Sequence, residues 1–83
     1  MKSVRRKVQE IIDGDTFRVR RGVAGTQFIR IARLNAPEKG QKGYMAAKKE
    51  LSRLKGETVT IRPVGRSYGR VVGEVIFNRK KLR

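Results

Sequence analysis

The sequence predicts a single small domain, mainly β, with one or two helices set inside a run of strands. Three observations carry that expectation. Short stretches of alternating apolar and polar residues recur between turn residues such as Asp13-Gly14 and Asn78-Arg79. One stretch, Tyr44 to Leu54, instead spaces its apolar residues as a helix does. The chain has 83 residues, which bounds it to one domain, 1–83. A chain of this length buries only about 60–65% of the surface it exposes when unfolded, so the core is small.

Taken in order, Val4 to Ile12 reads as the first strand, with Val4, Val8 and Ile12 on one face at even spacing. Asp13-Gly14 is a tight-hairpin signal. Thr16 to Arg20 is a half-buried strand, Phe17 and Val19 to one side and Arg18 and Arg20 to the other. Arg21 to Gly25 reads as a loop. Thr26 to Leu34 is the third strand, apolar on both faces as in a doubly covered strand, with Arg30 and Arg33 as exceptions. Pro37 is expected to stop it, because proline donates nothing to a ladder. Tyr44, Ala47, Leu51 and Leu54 make the helical stripe, and Gly56 is placed to end it just past the C-cap. Thr58 to Arg62 is the fourth strand, Pro63 to Gly69 a loop, and Val71 to Phe77 the fifth strand. Lys80 to Arg83 reads as a short returning strand after a turn. Three strands, a helix and two strands in this order predict a five-stranded small barrel with the helix between strands three and four. The OB-fold is a barrel of this size that binds oligonucleotides.

Charge narrows the function. Lys and Arg number 22 against 7 Asp and Glu, a net charge of +15. That excess points to a polyanion, with DNA or RNA ahead of an anionic membrane surface, since no long basic amphipathic helix is visible. No stretch approaches the roughly 18 apolar residues of a membrane span. No apolar segment follows the basic N-terminus, so the chain as written is expected to be cytoplasmic, or else the mature fragment of an exported protein. Self-repulsion favours a monomer. There is no cysteine and no histidine, which excludes disulfides, thiolate metal sites and an imidazole base. Catalysis would have to use carboxylates, arginines, lysines, water or a hard cation.

Three stretches hold residues suited to that chemistry. In Asp13-Gly-Asp-Thr16, Asp15 offers a carboxylate of the kind hard cations take, although Asp-Gly is also ordinary hairpin chemistry. In Ile29 to Glu38, Arg30 lies inside a strand, where a planar guanidinium on a rigid wall can hold two phosphate oxygens at once. Asn35, Pro37 and Glu38 follow where the strand gives out, and Glu38 is an acid able to take a proton from water. In Tyr68-Gly-Arg70, Arg70 is a second guanidinium. Each residue alone also reads as an ordinary turn or surface residue. Phe17, Phe28 and Phe77 read as core, leaving Tyr44 and Tyr68 as the candidate aromatic platforms.

Together, Ile11-Ile-Asp-Gly-Asp-Thr16, Ile29-Arg-Ile with Asn35-Ala-Pro-Glu38, and Tyr68-Gly-Arg70 resemble the staphylococcal nuclease (thermonuclease) family. The resemblance runs from about Val4 to Phe77, with the helix in the expected interval. It implies an OB barrel and calcium-dependent cleavage of DNA and RNA phosphodiesters. By the same resemblance, Asp15, Asn35 and the carbonyl of Ala36 supply the calcium ligands. Glu38 matches the general base, and Arg30 and Arg70 match the arginines that bind the scissile phosphate. Tyr68, Arg66 and Lys42 are taken as further nucleic-acid contacts.

This chain departs from the family pattern in three places. Asn35 stands where an aspartate is usual, so calcium is expected to bind weakly, because ligand charge tunes affinity. Arg66 stands where an acid is common. The family commonly continues into further helices, so a chain ending at Arg83 reads as a minimal member or as a piece of something longer. A nucleic-acid-binding OB module with a weak or silent site is the alternative.

Overall fold

The computed structural model describes Lys2 to Leu82. Six strands are present: β1 (Val4–Asp13), β2 (Thr16–Val23), β3 (Thr26–Ile31), β4 (Thr58–Ser67), β5 (Arg70–Phe77) and β6 (Lys80–Leu82). The helix α1 (Tyr44–Leu51) lies between β3 and β4 and tightens into a 3₁₀ turn over Ser52–Leu54. β1 pairs with β2 and β4, β2 with β3, and β4 with β5, all antiparallel. β3 and β5 then pair in parallel and close a five-stranded, OB-like barrel. β6 is an extra strand on the far end of β5.

Alternation along the strands fills the barrel. Phe17 and Val19 of β2, Ile29 and Ile31 of β3, Val59 and Ile61 of β4, and Val71 and Val75 of β5 are all buried. The helical stripe adds Leu51 and Leu54, which join the same cluster. Each such aliphatic side chain contributes roughly 1.5–3 kcal/mol on burial. Gly56, with φ of 83°, takes the left-handed turn after the helix, as expected of the residue there.

Long-range pairing changes several local expectations. Val8 pairs with Val19 but Glu10 with Arg18, so β1 bulges at Gln9. The extra residue shifts the phase, and Ile11 rather than Ile12 enters the core. β2 continues through Arg21 and Gly22 to Val23, leaving only Ala24-Gly25 as the turn. β3 stops at Ile31 rather than Leu34, because Arg33 takes a left-handed backbone (φ 65°), so Pro37 does not terminate it. β4 runs on through Pro63 to Ser67 where a loop was expected. Proline is tolerated there because a bulge at Val64 separates the Pro63–Gly73 and Gly65–Val72 pairs. Phe28 is not core: Ile29 and Ile31 take the inner positions of β3, and Phe28 is 40% exposed on the outer face. Tyr44 is buried, which removes it as an aromatic platform.

Two tight spots hold the helix and strands in place. A Cβ on Gly14 would lie 2.7 Å from the Ala47 Cβ and 2.8 Å from the Ala36 Cβ. Only glycine lets α1 and the segment after β3 both close on the β1–β2 turn. On the other side, the buried Glu74 of β5 meets Lys81 Nζ at 2.9 Å, Arg62 Nη1 at 3.3 Å and Arg33 Nη1 at 3.9 Å. It ties β5 to β4, to β6 and to the turn after β3. The Lys81 hydrogen bond, then the charges of Lys81, Arg62 and Arg33, lower the Glu74 pKa against an opposing effect of burial. Among the described residues, no helix is long and apolar enough to cross a membrane.

Gly14→Ala is expected to destabilise the protein by about 1–3 kcal/mol, the range for forced overpacking, measured by urea denaturation. The folded pKa of Glu74 lies below its unfolded value of about 4.3. Its contribution to stability is therefore present above that value and is lost as pH falls through the lower folded one. Glu74→Gln should lower the melting temperature at neutral pH, and its melting temperature should fall less than the parent's below pH of about 4.

Candidate functional site

Arg30 and Arg70 come together because β3 and β5 are parallel neighbours. Ile29 and Val71 are register partners that face the core, so the adjacent Arg30 and Arg70 lie on the outer face of that seam. On the other side of β3, Thr16 of β2 is the cross-strand partner of Arg30. The β1–β2 turn brings Asp15 to the same place, and the Ile31 N–H donates to the Asp15 carbonyl at 2.8 Å.

Side chains lock this arrangement. Arg30 Nη1 donates to the Ile31 carbonyl (3.0 Å) and Nη2 to the Leu34 carbonyl (3.3 Å). Arg30 Nη2 also lies 3.5 Å from Asp15 Oδ2. Thr16 Oγ1 donates to Asp15 Oδ1 (2.9 Å) and accepts from Arg70 Nη1 (3.2 Å). Arg70 Nε donates to the Ser67 carbonyl at 3.3 Å. The two guanidiniums are thus held by Asp15, by Thr16 and by backbone carbonyls: Ile31 and Leu34 for Arg30, and Ser67 at the end of β4 for Arg70. Both are partly exposed.

The segment after β3 supplies the opposite wall. Gln41 Oε1 accepts from the Glu38 N–H (2.7 Å), and the Gln41 N–H donates to the Glu38 carbonyl (2.9 Å). This closed loop sets the backbone of Glu38, whose carboxylate forms no ion pair among the described residues. Asp13, Asp15, Arg30, Asn35, Ala36, Glu38 and Arg70 all line one open cleft of about 470 Å³, together with Pro37 and Lys39. Asp13 is braced from α1: the Tyr44 hydroxyl donates to Asp13 Oδ1 at 2.9 Å. That hydrogen bond, burial and the Asp13 charge raise the Tyr44 pKa above that of a free tyrosine.

Six residues singled out in the sequence therefore share one cleft: Asp15, Arg30, Asn35, Ala36, Glu38 and Arg70. The other three lie outside its lining. Tyr68 is 95% exposed at the tip of the β4–β5 hairpin, with a left-handed backbone (φ 50°). Arg66 Nη1 donates to the Ala24 carbonyl at 2.6 Å and links the β4–β5 and β2–β3 hairpins. Lys42 is exposed in the loop before α1. Sequence reasoning missed Thr16 as the hydroxyl joining Asp15 to Arg70. It also missed Tyr44 as the brace for Asp13. Thr16 pairs with a residue 54 positions away, and no local pattern marks such a contact.

The residues on the acidic side of the cleft can each offer an oxygen ligand: the carboxylates of Asp13 and Asp15, the amide oxygen of Asn35 and the backbone carbonyl of Ala36. By type they fit a hard cation. They would offer such an ion little negative charge, since Asp15 already engages Thr16 and Arg30. Among the described residues, no group of three or more acidic side chains converges as a metal site. No family model matches the chain, and no curated protein matches it.

Thr16→Val keeps the shape of the buried side chain and removes the hydroxyl shared by Asp15 and Arg70. It is expected to cost roughly 1–3 kcal/mol, the range for leaving hydrogen-bonding partners unsatisfied, read by thermal and urea unfolding.

Proposed function

We propose that the protein is a nuclease that hydrolyses phosphodiester bonds of DNA or RNA, with calcium as its cofactor. The observation that carries this reading is the shared cleft. Two anchored guanidiniums and an unpaired carboxylate, drawn from stretches far apart in sequence, line one open site on a strongly basic barrel. The same residues carry the resemblance to the staphylococcal nuclease family.

Each residue has a role that its setting supports. Arg30 and Arg70 bind the oxygens of the scissile phosphate, where negative charge grows during transfer. Their anchoring through Asp15, Thr16 and backbone carbonyls means that little reorganisation is needed when substrate arrives. Glu38 accepts the proton of the attacking water. Asp15, Asn35 and Ala36 would hold the calcium ion, which when bound neutralises phosphate charge. The net charge of +15 draws the polyanion toward the barrel.

Asp15 also favours a second reading. With both its oxygens engaged and Asn35 neutral, the site suits a nucleic-acid-binding barrel with little or no turnover. That form binds DNA with an affinity that falls steeply with salt, as counterion release requires.

Cleavage of labelled single-stranded DNA in calcium, in magnesium and in chelator separates the two. The nuclease reading expects calcium-dependent cleavage. Glu38→Gln should lower the rate by about 10²–10⁴, the usual worth of a general base. Arg30→Ala should lower it by about 10²–10³. Equal cleavage by Glu38→Gln and the parent would remove Glu38 from the mechanism. Absence of cleavage with salt-sensitive retention would leave the binding module.

A further inference from the structure

Phe28 is an aromatic side chain placed on the outer wall of the barrel rather than in its core, 40% exposed. A single exposed apolar residue is ordinary, but the surroundings of this one are not. Arg18 stands directly across from it on β2. Arg30 projects from the same face two residues further along β3, about 6.6 Å away. On the other flank, Arg70 precedes Val71 as Phe28 precedes Ile29, so Arg70 stands level with it on β5. The Thr26 hydroxyl donates to the Gly69 carbonyl at 2.9 Å, which holds the hairpin tip bearing Tyr68 against the start of β3.

These cations are engaged elsewhere, and Phe28 stays partly exposed beside them. Arg18 is drawn the other way, toward β1, where its Nε and Nη2 each lie 3.2 Å from Glu10 Oε1. Arg70 is held by Ser67 and Thr16, and Arg30 by Asp15 and backbone carbonyls. The face therefore combines an open aromatic surface with guanidiniums at its edges. Unpaired nucleic acid has the matching chemistry: a flat base to stack and a phosphate on each side. A duplex has its base faces already stacked and offers only the phosphates. An acidic peptide would use the arginines and have no use for the ring.

We propose that Phe28 is a base-stacking residue that extends the cleft along β3 and makes it select single-stranded over duplex nucleic acid. The proposal rests on the reading that the cleft takes nucleic acid, and not on whether it cleaves. The strand runs past Arg30 and Arg70, and the nucleotide next to the bound phosphate lays its base on Phe28. Phe28 sets strand preference, while the arginines set overall affinity.

The test is binding in chelator by the full chain, with three labelled or competing probes: an oligothymidylate, a hairpin duplex and inorganic polyphosphate. Phe28→Ala is expected to weaken oligothymidylate binding roughly 5- to 150-fold, the loss that follows removal of one stacking aromatic. Duplex and polyphosphate binding should not change. Phe28→Trp should bind oligothymidylate as the parent does. The chain has no tryptophan of its own, so that variant carries a unique fluorophore whose emission should be quenched by the single strand and not by the duplex. This second variant decides the matter even if Phe28→Ala folds poorly. Unchanged oligothymidylate binding by a folded Phe28→Ala, or indole emission unmoved at saturation, overturns the proposal while the parent still binds. Failure of the parent to bind any of the three probes overturns the reading of the cleft itself. Quenching in chelator by a chain that cleaves nothing in calcium leaves the proposal standing and removes only the nuclease reading.

Discussion

Where β3 runs beside β5, from Ile29 opposite Val71 to Ile31 opposite Gly73, the sheet meets itself and becomes a barrel. Parallel strands cannot be joined by a tight turn, and here α1 and β4 make the crossover. The seam is tight. A Cβ on Gly73 would lie 2.9 Å from Ile61 Cγ2 and 3.1 Å from the Arg62 carbonyl, and the Gly73 carbonyl accepts from the Ala32 N–H at 2.7 Å. Closure turns Ile29, Ile31 and Val71 inward and so forces Arg30 and Arg70 onto the same outer face, diagonal to one another across the seam. The geometry of the cleft follows from the burial of its neighbours.

Acids are scarce in this chain, and most serve as ties. Glu74 gathers three cations, from β4, from β6 and from the turn after β3. Asp15 holds Arg30 and Thr16, Asp13 takes the Tyr44 hydroxyl, and Glu10 takes Arg18. Glu38 differs, since its loop is fixed through the backbone by Gln41 while its carboxylate stays free of ion pairs among the described residues. A carboxylate kept unpaired on a surface this basic is available to a bound molecule or to water. That distinguishes it physically from Glu10, Asp13, Asp15, Glu50 and Glu74, whose oxygens are already engaged. It differs from Glu57, likewise without an ion pair among the described residues, in lining the cleft.

Local signals carried the elements whose periodicity was strong. The Tyr44–Leu54 stripe became a helix and its 3₁₀ turn, and the alternation of Phe17 and Val19 became β2. Local signals misled where distant pairing overrode them. Pro63 reads as a loop residue, yet its strand continues because a bulge at Val64 absorbs the missing donor. Ile12 reads as core, yet the bulge at Gln9 hands that place to Ile11. Phe28 reads as core by hydrophobicity, but the parity of β3 places it outside.

By itself, the sequence determined the class of fold, the excess of positive charge and the residue types available for chemistry. Alternation, helical spacing and composition are properties of neighbours along the chain, and those are legible one stretch at a time. Tertiary structure alone decided which of 22 cations stand next to one another. It chose Arg30 and Arg70 through the register of a parallel strand pair, joined Arg70 to Asp15 through Thr16, and left the face of Phe28 open. Those choices depend on bulges and on strand closure, where contacts between residues tens of positions apart set the phase of every side chain. No local pattern encodes that phase, because a one-residue shift reverses inside and outside along a whole strand.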